Sequence, residues 1–433
     1  FSRCPVVERI RFVRHGGQPS RCPDRSGGQI ARRRHSPRPE DDMRLGLSVL
    51  CIGYVLSQFY RAFLAVLTEV LGRDIGATAD DLAVASGLWF VAFAAMQIPV
   101  GWALDRIGPR RTASVLLFLG GGGGALLFAA ATQPAHINVA MMLIGVGCSP
   151  VLMASYFIFA REFPPVQFAT LAALMLGVGS IGNLVASYPM ALATELFGWR
   201  LSLVWLACLS IAVAIGIYLT VREPAPASDA QEGSLLDLLR MPVLWTIFPM
   251  MIVAYAPAAA IRGLWMGPYL IDVHGLTTTQ VGQATLVMGV AMILGTFAYG
   301  PLDRLFGTRK WVVLLGNLVC AASILCLAAI VQSSAVLAIA LCAALGFFGA
   351  TFPVIIAHAR AFFPPALAGR GVTLMNLFGI GGVGLLQFAS GSLQGSIFSA
   401  SGAVSAYAAL FALFGLTLLV GCAIYLFSRD ATT

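Results

Sequence analysis

Charge vanishes from this chain for about twenty residues at a time, and nothing else limits its folding choices so strongly. Of its 433 residues, 58% are hydrophobic and 11% are Asp, Glu, Lys or Arg. A soluble domain carries roughly 25% charged residues. An α-helix satisfies its own backbone polar groups and needs about 20 apolar residues to cross the hydrocarbon layer. A barrel strand instead alternates polar and apolar residues over about ten positions, a pattern that the long apolar runs here do not follow. The expected fold class is all-α integral membrane, multi-pass.

From Met43 the apolar runs number twelve. Their predicted spans are 45–71, 80–103, 112–132, 136–160, 167–192, 200–221, 243–271, 279–301, 311–331, 334–359, 371–397 and 402–428. The longest connection, 222–242, contains Glu223-Pro224-Ala225-Pro226-Ala227-Ser228-Asp229 and reads as a linker. The expected organisation is a six-helix half at 43–221, a cytoplasmic linker at 222–242 and a second six-helix half at 243–433. Residues 1–42 hold ten Arg and five acids with no apolar run. They read as a basic disordered tail, or as an upstream extension misassigned to a chain that starts at Met43. Without them the formal charge falls from +8 to +3, 17 basic minus 14 acidic residues, which gives nucleic-acid binding no support.

The 17 basic residues after Met43 sort by side of the membrane. Thirteen fall on one side, Arg73 and Arg200 fall on the other, and Arg61 and Arg262 fall inside predicted segments 1 and 7. The positive-inside rule then places both termini in the cytoplasm, in the inner membrane if the source is bacterial. The seven cysteines in this part lie singly, with no C-x-x-C, as packing residues.

The halves repeat. Gly101-Trp102-Ala103-Leu104-Asp105-Arg106-Ile107-Gly108-Pro109-Arg110-Arg111 is echoed by Gly300-Pro301-Leu302-Asp303-Arg304-Leu305-Phe306-Gly307-Thr308-Arg309-Lys310. Asp105 and Asp303 are 198 apart, Phe163-Pro164-Pro165 and Phe363-Pro364-Pro365 are 200 apart, Arg61 and Arg262 are 201 apart, and Gly177-x-Gly179 and Gly379-x-Gly381 are 202 apart. Both copies begin on the same side, so the repeats are parallel.

Gly101, Asp105, Arg106, Gly108, Arg110 and Arg111 resemble the loop motif between helices 2 and 3 of the major facilitator superfamily. Asp303, Arg304, Gly307 and Arg309 follow it less regularly between segments 8 and 9. The resemblance covers 43–433. It implies twelve helices in two pseudo-symmetric halves, secondary transport by alternating access, and a gating role in which the motif latches the halves on the cytoplasmic side in the outward-open state. Asp105 would face the positive end of a neighbouring helix, and the arginines would bind carboxylates or helix-end carbonyls.

A charge at mid-membrane costs on the order of 3 kcal/mol on insertion scales, and Arg cannot shed its proton. Arg61 and Arg262 are therefore expected to face a wet cavity as a binding site for an organic or phosphorylated anion. Tyr54, Ser57 and Gln58 share the face of Arg61, and Tyr255, Trp265 and Tyr269 lie near that of Arg262. The competing reading makes both arginines structural, paired with Glu69, Asp272 or backbone carbonyls. Arginines in helices 1 and 7 are similar to those of organophosphate–phosphate exchangers, although segment 5 here lacks their His. Coupling by proton symport or anion exchange is expected, with uniport left open, in a monomer that needs no cofactor or metal and is not an enzyme.

Other readings fit the residues less well. Nitrate porters carry arginines in helices 2 and 8, and drug antiporters carry a helix 4 Arg and a helix 5 Gly-Pro, none of which occurs here. Met288 and Met292 share a helix face and would suit Cu(I), but their spacing is ordinary for packing. The run Gly120–Gly124 predicts close helix approach. A membrane receptor without transport is the alternative from outside the transporter class.

Overall fold

The computed structural model describes residues 39–163, 165–223, 235–364 and 367–430. Most of the basic tail, and positions 224–234 of the linker, lie outside these residues. From Pro39 onward the chain packs as one compact unit. Its regular structure is helical throughout the described residues.

The helices are α1 (Pro39–Phe59, continued by a 3-10 turn at Phe63–Val66 and a helix at Thr68–Ile75), α2 (Ala79–Arg106), α3 (Pro109–Ala129) and α4 (Pro134–Glu162). Next come α5 (Pro165–Val185, continued at Tyr188–Phe197), α6 (Trp199–Thr220), α7 (Pro242–His274), α8 (Thr278–Phe306), α9 (Lys310–Ala329) and α10 (Ala335–Arg360). A final run, Ala368–Tyr425, has 58 residues and one non-helical position, Gly402, at φ 80° and ψ 177°. At 1.5 Å per residue an unbroken helix of that length would be nearly three bilayer cores long, about 87 Å. Gly402 therefore divides it into α11 (368–401) and α12 (403–425).

Nine helices among the described residues are long and apolar enough to cross a membrane, or ten if the bent pair in α5 is one span. Dividing the last run at Gly402 and adding α1, whose apolar helix Leu45–Phe59 is prolonged by its 3-10 and α continuations, brings the segments to the predicted twelve.

Local chemistry marks the same places in both halves of the sequence. Thr78 and Asp81 form a capping box at the start of α2, and Thr277 and Gln280 form one at the start of α8. The glycine run makes its predicted close approach: a Cβ on Gly120 would lie 2.5 Å from the Leu143 carbonyl oxygen of α4. Met288 is fully buried and, with Met292, packs on Gly346 of α10.

At the face opposite the termini, α1–α6 join α7–α12. Thr278 donates to Glu69 at 2.8 Å, Thr279 donates to Glu195, and Gln387 donates to Ser86 at 2.8 Å. Gly267 meets the Ala65 carbonyl, and Gly282 meets Tyr188 and Ala191. At the terminus-bearing face, bonds tie elements of the same six-helix group. Asp105 meets Arg161 at 3.8 Å, Thr308 donates to Asp430, and His358 joins Tyr425 at 2.6 Å and the Arg429 carbonyl at 2.8 Å.

Candidate substrate site

Two helices break where their arginines sit. α1 loses regular helix after Phe59, and Arg61 lies in the turn before the 3-10 segment. α7 bends at Tyr255, just before Pro257, whose missing N–H and ring disrupt the preceding turn. The chain then widens into a π-helical turn, Ile261–Trp265, that carries Arg262. Broken helices at membrane depth expose backbone groups that need a cavity or a protein partner.

Arg61 is half-buried, with its guanidinium carbon 5.2 Å from the ring centroid of Trp89 and 4.9 Å from that of Phe93. These rings, one turn apart on α2, stack at 5.1 Å and 19°. The arginine thus rests on aromatic faces, and its Nε lacks a hydrogen-bond partner among the described residues.

Arg262 is only 4% exposed. It donates to Asn183 Oδ1 at 3.0 Å, to the Asn183 carbonyl oxygen, and to Ser187 Oγ at 3.4 Å. Asn183 and Ser187 flank the break in α5. There the Ser187 N–H turns to the Leu184 carbonyl at 3.1 Å, leaving the Asn183 carbonyl for Ser187 Oγ at 3.1 Å and for Arg262.

Among the described residues neither arginine forms an ion pair. Of the acids weighed as partners, Glu69 accepts from Thr278, and Asp272 accepts from Tyr407 at 2.5 Å. The backbone-carbonyl part of the structural reading does hold for Arg262.

The other predicted wall residues divide. Tyr54 lies within electrostatic reach of Arg61 and Tyr255, and Tyr255 within reach of Arg262. The Tyr54 ring fills the space that a side chain on Gly179 of α5 would need. Gln58 is buried, and its Oε1 has no partner among the described residues. Tyr255 is half-buried against Phe352, ring centroids 5.4 Å apart. Trp265 is buried and donates to Ser390 of α11 at 2.9 Å. Tyr269 is not brought to this group. It packs among Tyr407, Phe411 and His274, and its hydroxyl donates to the Val331 carbonyl at 2.9 Å.

The loop motif finds partners within its own group of helices. Asp105 is largely exposed beside Arg161, and Arg110 stacks on Tyr218 of α6 at 4.4 Å. Arg106 and Arg111 are exposed, and a Cβ on Gly101 would meet none of the described residues within 4 Å. Gly108 takes φ 97° at the turn into α3, and a Cβ there would lie 2.1 Å from a Glu223 carboxylate oxygen. Gly307 takes φ 63°, and Arg309 donates to the Ala357 carbonyl at 3.4 Å. The side chains of Asp303 and Arg304 lie outside the described residues.

A cavity of about 510 Å³ opens at the face opposite the termini, lined by Thr68, Glu69, Asp80, Asp272 and Gln394 among others. It is acidic and does not include the arginines.

Sequence reasoning missed Trp89, Phe93, Asn183 and Ser187. The available signal was Asn183 itself, an amide in an apolar run that must find a partner.

The sequence profile described as Major Facilitator Superfamily matches residues 50–278 and 258–433. The chain is 24% identical over 272 residues to the sialic acid transporter of Escherichia coli (strain K12), a match covering 60% of this chain and 64% of that protein. It is 25% identical over 189 residues to the 4-hydroxybenzoate transporter of Pseudomonas putida, covering 43% of this chain and 41% of that one. The matches therefore span less than two thirds of either relative. Among solved structures, the fold is similar to a bacterial homolog of the human lysosomal transporter Spinster, with TM-score 0.70, 18% identity, and coverage of 91% of this chain and 98% of that chain. It is also similar to a D-xylose–proton symporter, with TM-score 0.68, 16% identity, and coverage of 86% and 96%. The repeated loop motif, the twelve helical segments and the profile match along both halves agree: the chain belongs to the major facilitator superfamily.

Proposed function

We propose that the protein carries a small organic anion, carboxylated or phosphorylated, across the membrane by alternating access. The observation that carries this reading is a pair of arginines, Arg61 and Arg262, in broken helices with no carboxylate to neutralise them among the described residues. A guanidinium is a fixed charge with paired donors suited to a carboxylate or phosphate. The aromatic walls at Trp89, Phe93 and Tyr255 supply apolar area around it. The two relatives named above transport sialic acid and 4-hydroxybenzoate, both carboxylate-bearing, which supports the same class.

In this reading, residues 43–221 and 243–433 rock as two halves of a monomer, with the 222–242 linker and both termini in the cytoplasm, in the inner membrane if the source is bacterial. The joined face is then external, and the structure is the cytoplasm-facing state. Movement is coupled by proton symport or anion exchange, which an imposed pH gradient and an internal anion load separate.

The test is uptake by proteoliposomes of sialic acid, 4-hydroxybenzoate, glycerol phosphate and, as a neutral control, xylose. The expected result is uptake of at least one anion, reduced about tenfold or more by Arg61→Ala, in line with loss of a charge-assisted contact. Equal anion uptake by wild type, Arg61→Ala and Arg262→Ala would overturn the proposal, as would transport of xylose alone.

A further inference from the structure

The two arginines are not in equivalent states. Arg61 rests on aromatic rings and has no hydrogen-bond acceptor among the described residues, whereas Arg262 already holds two atoms of Asn183 and the hydroxyl of Ser187. Asn183 and Ser187 belong to α5 in the first group of six helices, and Arg262 belongs to α7 in the second. These bonds therefore cross between the groups. They sit beside the joined face, because the part of α5 after the break packs on α8. A Cβ on Gly282 would lie 3.0 Å from Tyr188 Cα and 2.8 Å from Ala191 Cβ.

We propose that Arg262 is a state-dependent bolt. While the face opposite the termini is joined, its guanidinium is held by Asn183 and Ser187. When that face opens, α5 and α7 part and the guanidinium becomes available to the anion. The bolt itself needs no substrate; only its second role, arming the site, rests on the anion reading. The partners are neutral dipoles, so a carboxylate or phosphate outcompetes them once they are pulled away. The site then offers two guanidinium groups on one side of the membrane and one on the other. The difference in affinity comes from bonds inside the protein, which replace those to the solute as the halves rock. Asn183 acts as a positioning residue in this scheme.

Hydrogen exchange of 188–197 and 278–289 in purified protein without solute tests the bolt, and anion uptake tests the arming. Asn183→Asp places a carboxylate against Arg262 with almost no change in shape. We expect exchange at the joined face to slow about threefold or more, Tm to rise, and uptake of the transported anion to fall about tenfold. Asn183→Ala and Ser187→Ala should speed exchange at the same peptides. A purely structural asparagine would instead lose stability in Asn183→Asp as it does in Asn183→Ala. Unchanged exchange in all of them overturns the bolt. Altered exchange with wild-type anion uptake by Asn183→Asp overturns the arming. If wild type moves no anion at all, the functional reading fails while the exchange data still decide the bolt.

Discussion

Arg61 and Arg262 occupy corresponding places in a repeat, yet their surroundings give them different chemistry. Arg61 lies across two stacked rings, a contact that depends on a flat, delocalised cation. Arg61→Lys keeps the charge but loses that fit and the paired donors. Its half-saturating anion concentration should rise about tenfold while maximal uptake changes less. Trp89→Leu should move the same quantity in the same direction. Equal values in wild type and Arg61→Lys would mean that charge alone is recognised. Both arginines were legible in the sequence because a cation inside an apolar run is conspicuous. Their partners were not, since Trp89 and Phe93 read as ordinary packing aromatics, and tertiary contact alone shows which side chain meets Asn183. Tyr269 shows the reverse error. Spacing put it near the face of Arg262, but the breaks in α7 turn it into the packing around Tyr407 and Phe411.

Helix interruption is what separates the predicted elements from the observed ones. The bend in α7 has a visible cause in Pro257, and the bend in α5 has one in Pro189. The turn at Arg61 has none, because residues 59–67 contain neither Gly nor Pro. Close approach across the joined face is carried by glycine. A Cβ on Gly267 would lie 1.9 Å from the Ala65 carbonyl oxygen, a backbone atom that cannot swing aside. Gly267→Ala should therefore destabilise the structure by about 1–3 kcal/mol, as overpacking does, with faster exchange in Thr68–Ile75. At the other face, Asp430 ties the end of the chain to α9 by accepting from the Thr308 hydroxyl and, at 3.2 Å, from the Lys310 N–H. Partial burial raises its pKa, but the bonds from Thr308, Lys310 and Arg309 outweigh this and hold the carboxyl below its ordinary value. A depressed carboxyl contributes stability above its unfolded pKa and loses it as pH falls through the folded one. Asp430→Asn should loosen this strap at neutral pH, seen as faster exchange around Thr308. The difference from wild type should close in strong acid.

At the scale of the whole molecule the sequence was most informative. Repeat offsets, charge scarcity and short connections were enough for a twelve-segment helical membrane protein, because the bilayer permits few other solutions. Among the described residues the latch expected from the loop motif is not engaged across the two groups, since Asp105 meets Arg161 of its own group. If the motif acts when the opposite face opens, Asp105→Asn should cut uptake severalfold, by less than about 1.4 kcal/mol, without lowering the amount of protein in the membrane. Wild-type uptake would assign the motif to topology alone. The two guanidinium groups, with no carboxylate paired to them among the described residues, have one more consequence, for what the molecule keeps out. Water entering from the terminus-bearing face would meet positive charge before reaching the joined face, and positive charge in a narrow, low-dielectric passage repels protons and metal cations. The arginines would then insulate the membrane as well as select a solute. Neutralising both should show first as a proton leak in dye-loaded vesicles, even where no anion is supplied.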